Sequence, residues 1–180
     1  MSDLEQANQE ERAACLRQAS QTGNILAKYH YALQCRDPNE RKRWLREAAQ
    51  AGYIPAMYDY GLACDDRHEK QRWLKEAAQE GYVLAMYQYG LNCSDHPQRQ
   101  LWLKAAAEAG CVEAMYEYGL ECDDHAEIIH WLRKAACEEH VPSMYDYALE
   151  CDDLEETKRW LRKAALHGWQ AAMDELDALE

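Results

Sequence analysis

Apolar residues return along this chain in two alternating patterns, and each pattern repeats every 29 residues. In the first, Trp44-Leu45 is followed by Ala48-Ala49. At 100° per residue these positions make one apolar stripe on a helix whose other positions are Lys, Arg, Glu and Gln. The same stripe recurs at Trp73-Leu74 with Ala77-Ala78, Trp102-Leu103 with Ala106-Ala107, Trp131-Leu132 with Ala135-Ala136, and Trp160-Leu161 with Ala164-Ala165. We term these the B helices. The second pattern runs from Ala56 to Cys64, with Ala56, Tyr60 and Cys64 at i, i+4 and i+8 and Met57 and Gly61 alongside, a wide core stripe. It recurs at 27–35, 85–93, 114–122 and 143–151 and defines the A helices. The slot of Ala32, Gly61, Gly90, Gly119 and Ala148 is always small, which predicts a neighbouring helix in close approach.

Start and stop signals keep the same step. Asp37, Asp66, Asp95, Asp124 and Asp153 are each followed three residues later by Glu40, Glu69, Gln98, Glu127 and Glu156, the spacing of an N-cap with a reciprocal capping box. Gly52, Gly81, Gly110 and Gly168 supply left-handed stops. Glu139 stands at that position in the fourth repeat, which predicts a strained or differently shaped turn there. Connections this short force neighbouring helices antiparallel.

The predicted fold is all-α, an α/α solenoid of helix-turn-helix repeats with about twelve antiparallel helices forming a single repeat domain over residues 1–180. Repeats are expected at 24–52, 53–81, 82–110, 111–139 and 140–168. An N-terminal capping helix is expected over 3–23, with Cys15 in the Trp slot and Leu16 in the Leu slot, and a C-terminal capping helix over 169–180.

Composition narrows function. A formal charge of −13 disfavours phosphate backbones and anionic lipid, so no nucleic-acid or membrane partner is expected, while a basic protein or peptide is permitted. No run reaches the roughly 18 apolar residues of a spanning helix, and residues 1–18 lack a basic and an apolar leader region. Eight cysteines would suggest disulfides in a secreted chain. Cys35, Cys64, Cys93, Cys122 and Cys151, however, share one slot a whole repeat apart, whereas a disulfide needs Cα atoms within about 7 Å. Cys15, Cys111 and Cys137 have no regular partner. Reduced thiols and a cytoplasmic location are expected.

The pattern Ala-x-x-x-Tyr-Gly-x-x-Cys followed by Trp-Leu-x-x-Ala-Ala-x-x-Gly resembles the Sel-1-like repeat, a relative of the tetratricopeptide repeat, over residues 8–180. Several features depart from the family pattern. The glycine-rich loop is absent and the unit is correspondingly short. Tyr60 and its equivalents stand for Leu, Cys64 and its equivalents for Tyr, and Lys70, Arg99 and Ile128 occupy a slot that is usually Ala. The resemblance implies a protein-binding scaffold or adaptor and no catalytic residues.

Within the repeats, two invariant ladders on the A helices admit two readings. Tyr29, Tyr58, Tyr87, Tyr116 and Tyr145, with Leu33, Leu62, Leu91, Leu120 and Leu149, either pack one repeat on the next or present aromatic and apolar anchors to a partner. The variable slots beside them are His30, Asp59, Gln88, Glu117 and Asp146, with Gln34, Ala63, Asn92, Glu121 and Glu150 one turn on. They either form a solvated face or select the partner. The candidate binding set is Tyr58, Asp59, Leu62, Tyr87, Gln88, Tyr116, Glu117, Glu121, Tyr145, Asp146 and Glu150, whose acids would meet Lys or Arg.

Cys122, His125, His130, Cys137 and His140 have zinc-like spacings, but Cys122 belongs to the core ladder and a helix separates the halves. The pairs Asp65-Asp66, Asp123-Asp124 and Asp152-Asp153 are accounted for by capping. Neither metal nor cofactor is expected. With no phosphate loop, nucleophile elbow or HExxH, neither is an enzyme. The alternative to a scaffold is a dedicated inhibitor or immunity-type protein that occludes one toxin or enzyme.

Overall fold

The computed structural model describes residues 21–179 together with 14, 17 and 18. Eleven helices lie among them. The A helices are α1 (Ile25–Gln34), α3 (Ile54–Ala63), α5 (Val83–Asn92), α7 (Val112–Glu121), α9 (Val141–Glu150) and α11 (Gln170–Ala178). The B helices are α2 (Pro38–Gln50), α4 (Arg67–Gln79), α6 (His96–Glu108), α8 (His125–Cys137) and α10 (Leu154–Leu166). The fold is an all-α solenoid of helix-turn-helix repeats. Most of the expected N-terminal capping helix, including Cys15 and Leu16, lies outside the described residues. Two compact units are distinguished, Met1–Tyr89 and Gly90–Glu180.

In the first unit the core gathers Tyr31, Ala32, Trp44, Leu45, Ala56, Tyr60 and Trp73 with Cys35 and Cys64. In the second it gathers Leu132, Ala136, Met144, Tyr147, Ala148, Trp160, Leu161 and Ala164. The leucine of the B stripe is the most deeply buried large side chain of each repeat, Leu74, Leu103 and Leu161 being fully enclosed, where truncation to Ala costs about 2–5 kcal/mol. The small slot of helix A faces that stripe. A Cβ on Gly61 would lie 3.3 Å from Leu74 and Trp73 side-chain atoms, and one on Gly119 would lie 3.2 Å from Trp131 Cβ.

Each B helix stops through a Schellman turn. The Gly52 amide donates to Ala49 O and the Tyr53 amide to Ala48 O, at 2.9 and 3.1 Å. Gly23, Gly52, Gly81, Gly110 and Gly168 hold φ between +82° and +95°. Glu139 makes the same turn at φ +64°, with its amide on Ala136 O and that of His140 on Ala135 O. The strain expected at this position is present and the turn keeps its shape.

The starts follow the sequence in part. Asp37, Asp66, Asp95, Asp124 and Asp153 each accept a first-turn amide. The glutamates three residues on do other work than a reciprocal cap. Glu40, Glu69, Glu127 and Glu156 accept the hydroxyls of Tyr31, Tyr60, Tyr118 and Tyr147 from the preceding A helix, at 3.2, 2.9, 3.0 and 3.0 Å. A buried phenol needs an acceptor, and here the first turn of helix B supplies it. The same tyrosines meet Trp44, Trp73, Trp131 and Trp160 edge to face at 5.6–5.7 Å.

Candidate interaction surface

The two ladders of the A helices part company in space. The tyrosines are half-buried. In the first unit Tyr29 meets Tyr53 edge-on at 5.0 Å, and its hydroxyl donates to Asp59 Oδ2 at 2.8 Å. Tyr58 meets Tyr82 at 5.3 Å. Tyr87 and Gln88 are half-buried. In the second unit Tyr116 lies 4.9 Å from the His140 ring and donates to Asp146 Oδ2 at 2.9 Å, while Tyr145 lies 6.3 Å from Trp169. The leucines face out: Leu33 and Leu62 are 50% and 39% exposed in the first unit, Leu120 and Leu149 51% each in the second.

The acids of the candidate set are unequally placed. Asp59 and Asp146 accept tyrosine hydroxyls and tie one repeat to the next. Glu121 is ion-paired to Arg99 of α6, with His96 Nδ1 at 3.9 Å, and Glu150 lies 3.4 Å from His125 Nδ1. Glu117 is half-buried on the Tyr116 turn. No Lys or Arg occurs on α3, α5, α7, α9 or α11, and α1 carries only Lys28, which is paired to Glu47 at 2.9 Å. Around Leu120 and Leu149 the A helices therefore offer apolar side chains among carboxylates.

Electrostatics follow burial. Desolvation, then the Asp146 carboxylate, pushes the Tyr116 phenol up to about 12. Burial holds His140 below the usual imidazole range although Glu113, Asp146 and Glu117 pull the other way. His140 Nδ1 sits 2.7 Å from the hydroxyl of Ser143, which is fully buried in a slot that is Ala in most repeats. Burial raises the thiols of Cys35, Cys64, Cys111, Cys122 and Cys151, and none of the seven described cysteines is in a disulfide. Among the described residues no three His, Cys, Asp or Glu side chains are grouped to hold a metal ion, and no helix is long and apolar enough to cross a membrane.

Sequence reasoning missed a hollow of about 450 Å³ lined by Gly23–Leu26 and Ala51–Tyr53, for which the pattern gave no signal beyond the exposed Ile25-Leu26 pair. It also missed both tyrosine–carboxylate pairings, whose signal was present as constant separations of nine and thirty residues.

No family model matches the chain, and no curated protein does. Solved structures do. A protective antigen of uropathogenic Escherichia coli with an SLR fold superposes with a TM-score of 0.82 at 19% identity, over 91% of this chain and 43% of the antigen. The chain thus spans less than half of that protein. The fold is that of the Sel1-like repeat. A Sel1 repeat protein from Oxalobacter formigenes matches with a TM-score of 0.76 at 20% identity, over 88% of this chain and 80% of that one. A putative Sel1 repeat protein from Klebsiella pneumoniae matches with a TM-score of 0.52 at 15% identity, over 92% and 98%. Four of this chain's helical hairpins hold a tyrosine–glutamate pair, Tyr31–Glu40, Tyr60–Glu69, Tyr118–Glu127 and Tyr147–Glu156, and the third has Gln98 in the glutamate position.

Proposed function

We propose that this Sel1-like repeat chain is a non-catalytic scaffold or adaptor of the cytoplasm that docks a protein or peptide carrying basic residues on the exposed side of its A helices. The observation that carries this reading is the placement of outward leucines beside acids on helices that, apart from Lys28 of α1, carry no Lys or Arg of their own. In the second unit Leu120 and Leu149 would take apolar side chains while Glu117 and Glu150 would take Lys or Arg. Tyr116, Tyr145, Asp146 and Glu121 would set the floor and the edge. In the first unit Leu62, Tyr58, Asp59, Tyr87 and Gln88 would take the corresponding roles.

The test is affinity purification of the tagged protein from its own host, with Leu120→Glu/Leu149→Glu/Glu117→Lys as the matched variant and circular dichroism to show that it folds. Partners bound by the native chain and lost from the folded variant support the reading. Equal recovery by both removes the A helices as the docking surface. One stoichiometric partner would favour the dedicated inhibitor over the scaffold.

A further inference from the structure

One slot on the B helices reverses charge between repeats. Three residues after the tryptophan, α2 and α4 carry Glu47 and Glu76, whereas α8 and α10 carry Lys134 and Lys163. In α2 and α4 the glutamate pairs with an arginine one turn back, Arg43 or Arg72, at 3.3 Å, and Glu47 also pairs with Lys28. The tryptophan ring carries a cation in all four helices, Arg43 and Arg72 at 5.3 and 5.0 Å in α2 and α4, whereas in α8 and α10 it is the lysine of this slot, at 4.7 Å for Lys134 on Trp131 and 4.1 Å for Lys163 on Trp160. Its charge stays uncompensated.

Around these two lysines stand Arg133 on α8 and Lys158, Arg159 and Arg162 on α10. Positions 158, 159, 162 and 163 fill an arc opposite the Trp160, Leu161 and Ala164 stripe, so they point away from the core. Among the described residues none of the six cations has an acid within ion-pair distance. Two nearby carboxylates are otherwise engaged: Glu127 binds Lys104 and the Tyr118 hydroxyl, and Glu156 the Tyr147 hydroxyl. Glu155, in the first turn of α10, falls on the same arc one turn before Lys158 and Arg159 without pairing to either, and Glu138 and Glu139 lie beyond the end of α8.

We propose that the outer side of α8 and α10 is a second docking surface, which takes a short acidic segment of a protein partner. Three arginines offer planar forks to carboxylates, and the ring-seated lysines hold their ammonium groups in place before binding. The patch is about 8 Å long on α10, one and a half helical turns, which suits a few carboxylates of one peptide. An extended polyanion such as duplex DNA makes roughly 6–10 phosphate contacts and would run beyond this patch onto a chain of net charge −13. This surface is independent of the A-helix reading, and the two together would let one chain bridge partners of opposite charge.

The test measures binding of a short fluorescein-labelled peptide of repeated Glu-Glu-Leu to the whole chain by fluorescence anisotropy. Saturable binding is expected. It should weaken at least about tenfold in Lys134→Glu/Lys163→Glu, which restores residues that α2 and α4 already carry and so keeps the fold. It should be unchanged in Arg43→Gln/Arg72→Gln, and in Glu117→Lys, whose effect belongs to the A helices. Absence of binding, equal binding by the lysine reversal, equal loss in the arginine control, or tighter binding of duplex DNA or phosphatidylserine vesicles than of the peptide would each overturn the proposal.

Discussion

Tyr116 and Asp146 are separated by one residue more than a repeat, and the phenol donates to the carboxylate at 2.9 Å, as Tyr29 does to Asp59 at 2.8 Å. A single hydrogen bond thus links the A helix of one repeat to that of the next, half-buried and with charge on the acceptor.

Removing the donor strands a carboxylate. Tyr116→Phe is expected to lower stability by about 1–2 kcal/mol in urea unfolding, and by much less in an Asp146→Ala background. Equal losses in both backgrounds would show that the bond contributes nothing.

The tyrosines also set an alkaline limit. Burial first, then neighbouring acidic groups, raises Tyr31, Tyr116 and Tyr118 to about 12 against an ordinary value of 10. The folded chain therefore holds these protons more tightly than the unfolded one. Their stabilisation is complete below pH 10 and is lost as pH rises through about 12. The melting temperature should fall across that window, and Tyr118→Phe should flatten the decline.

His140 sets an acid limit of opposite sign. Burial between Tyr116 and Ser143 favours the neutral ring, against the pull of Glu113, Asp146 and Glu117, so its pKa lies below 6.5. The associated stability is present above pH 6.5 and drains as pH falls through the lowered value. His140→Tyr, the residue that Tyr53 and Tyr82 supply at this position, should flatten the melting curve against pH in the acid range.

Glu139 is the strained turn. At φ +64° it occupies a conformation that the other repeats give to glycine, so Glu139→Gly is expected to stabilise by about 1 kcal/mol, read as a higher urea midpoint with unchanged m.

The small slot behaves differently. Ala32 and Ala148 already occupy it, so Gly119→Ala should be near neutral, the gain in helix propensity offsetting the 3.2 Å approach to Trp131. Gly119→Val should cost about 1–3 kcal/mol by overpacking.

Helix existence, stops, N-caps and the small slot were legible because each is a local signal repeated in register, so copies check one another. The destination of Glu40, Glu69, Glu127 and Glu156 was not, because a glutamate three residues after an Asp fits both a capping box and an acceptor for a phenol nine residues earlier. Only packing decides between them. The same holds for the ladders: an invariant tyrosine and an invariant leucine one turn apart look alike as letters, yet the Tyr116 hydroxyl reaches forward to Asp146 of the next repeat while Leu120 stays half in solvent. The charge reversal at Lys134 and Lys163 was written in the chain. Its meaning depended on seeing Arg43 and Arg72 paired in the sister repeats.

The tyrosine-to-carboxylate bonds that tie repeats together reach thirty residues along the chain, and the hairpin bonds only nine. Such short reach means that a repeat can be locked once one further repeat has been synthesised, so the chain can fold rapidly and progressively as it leaves the ribosome.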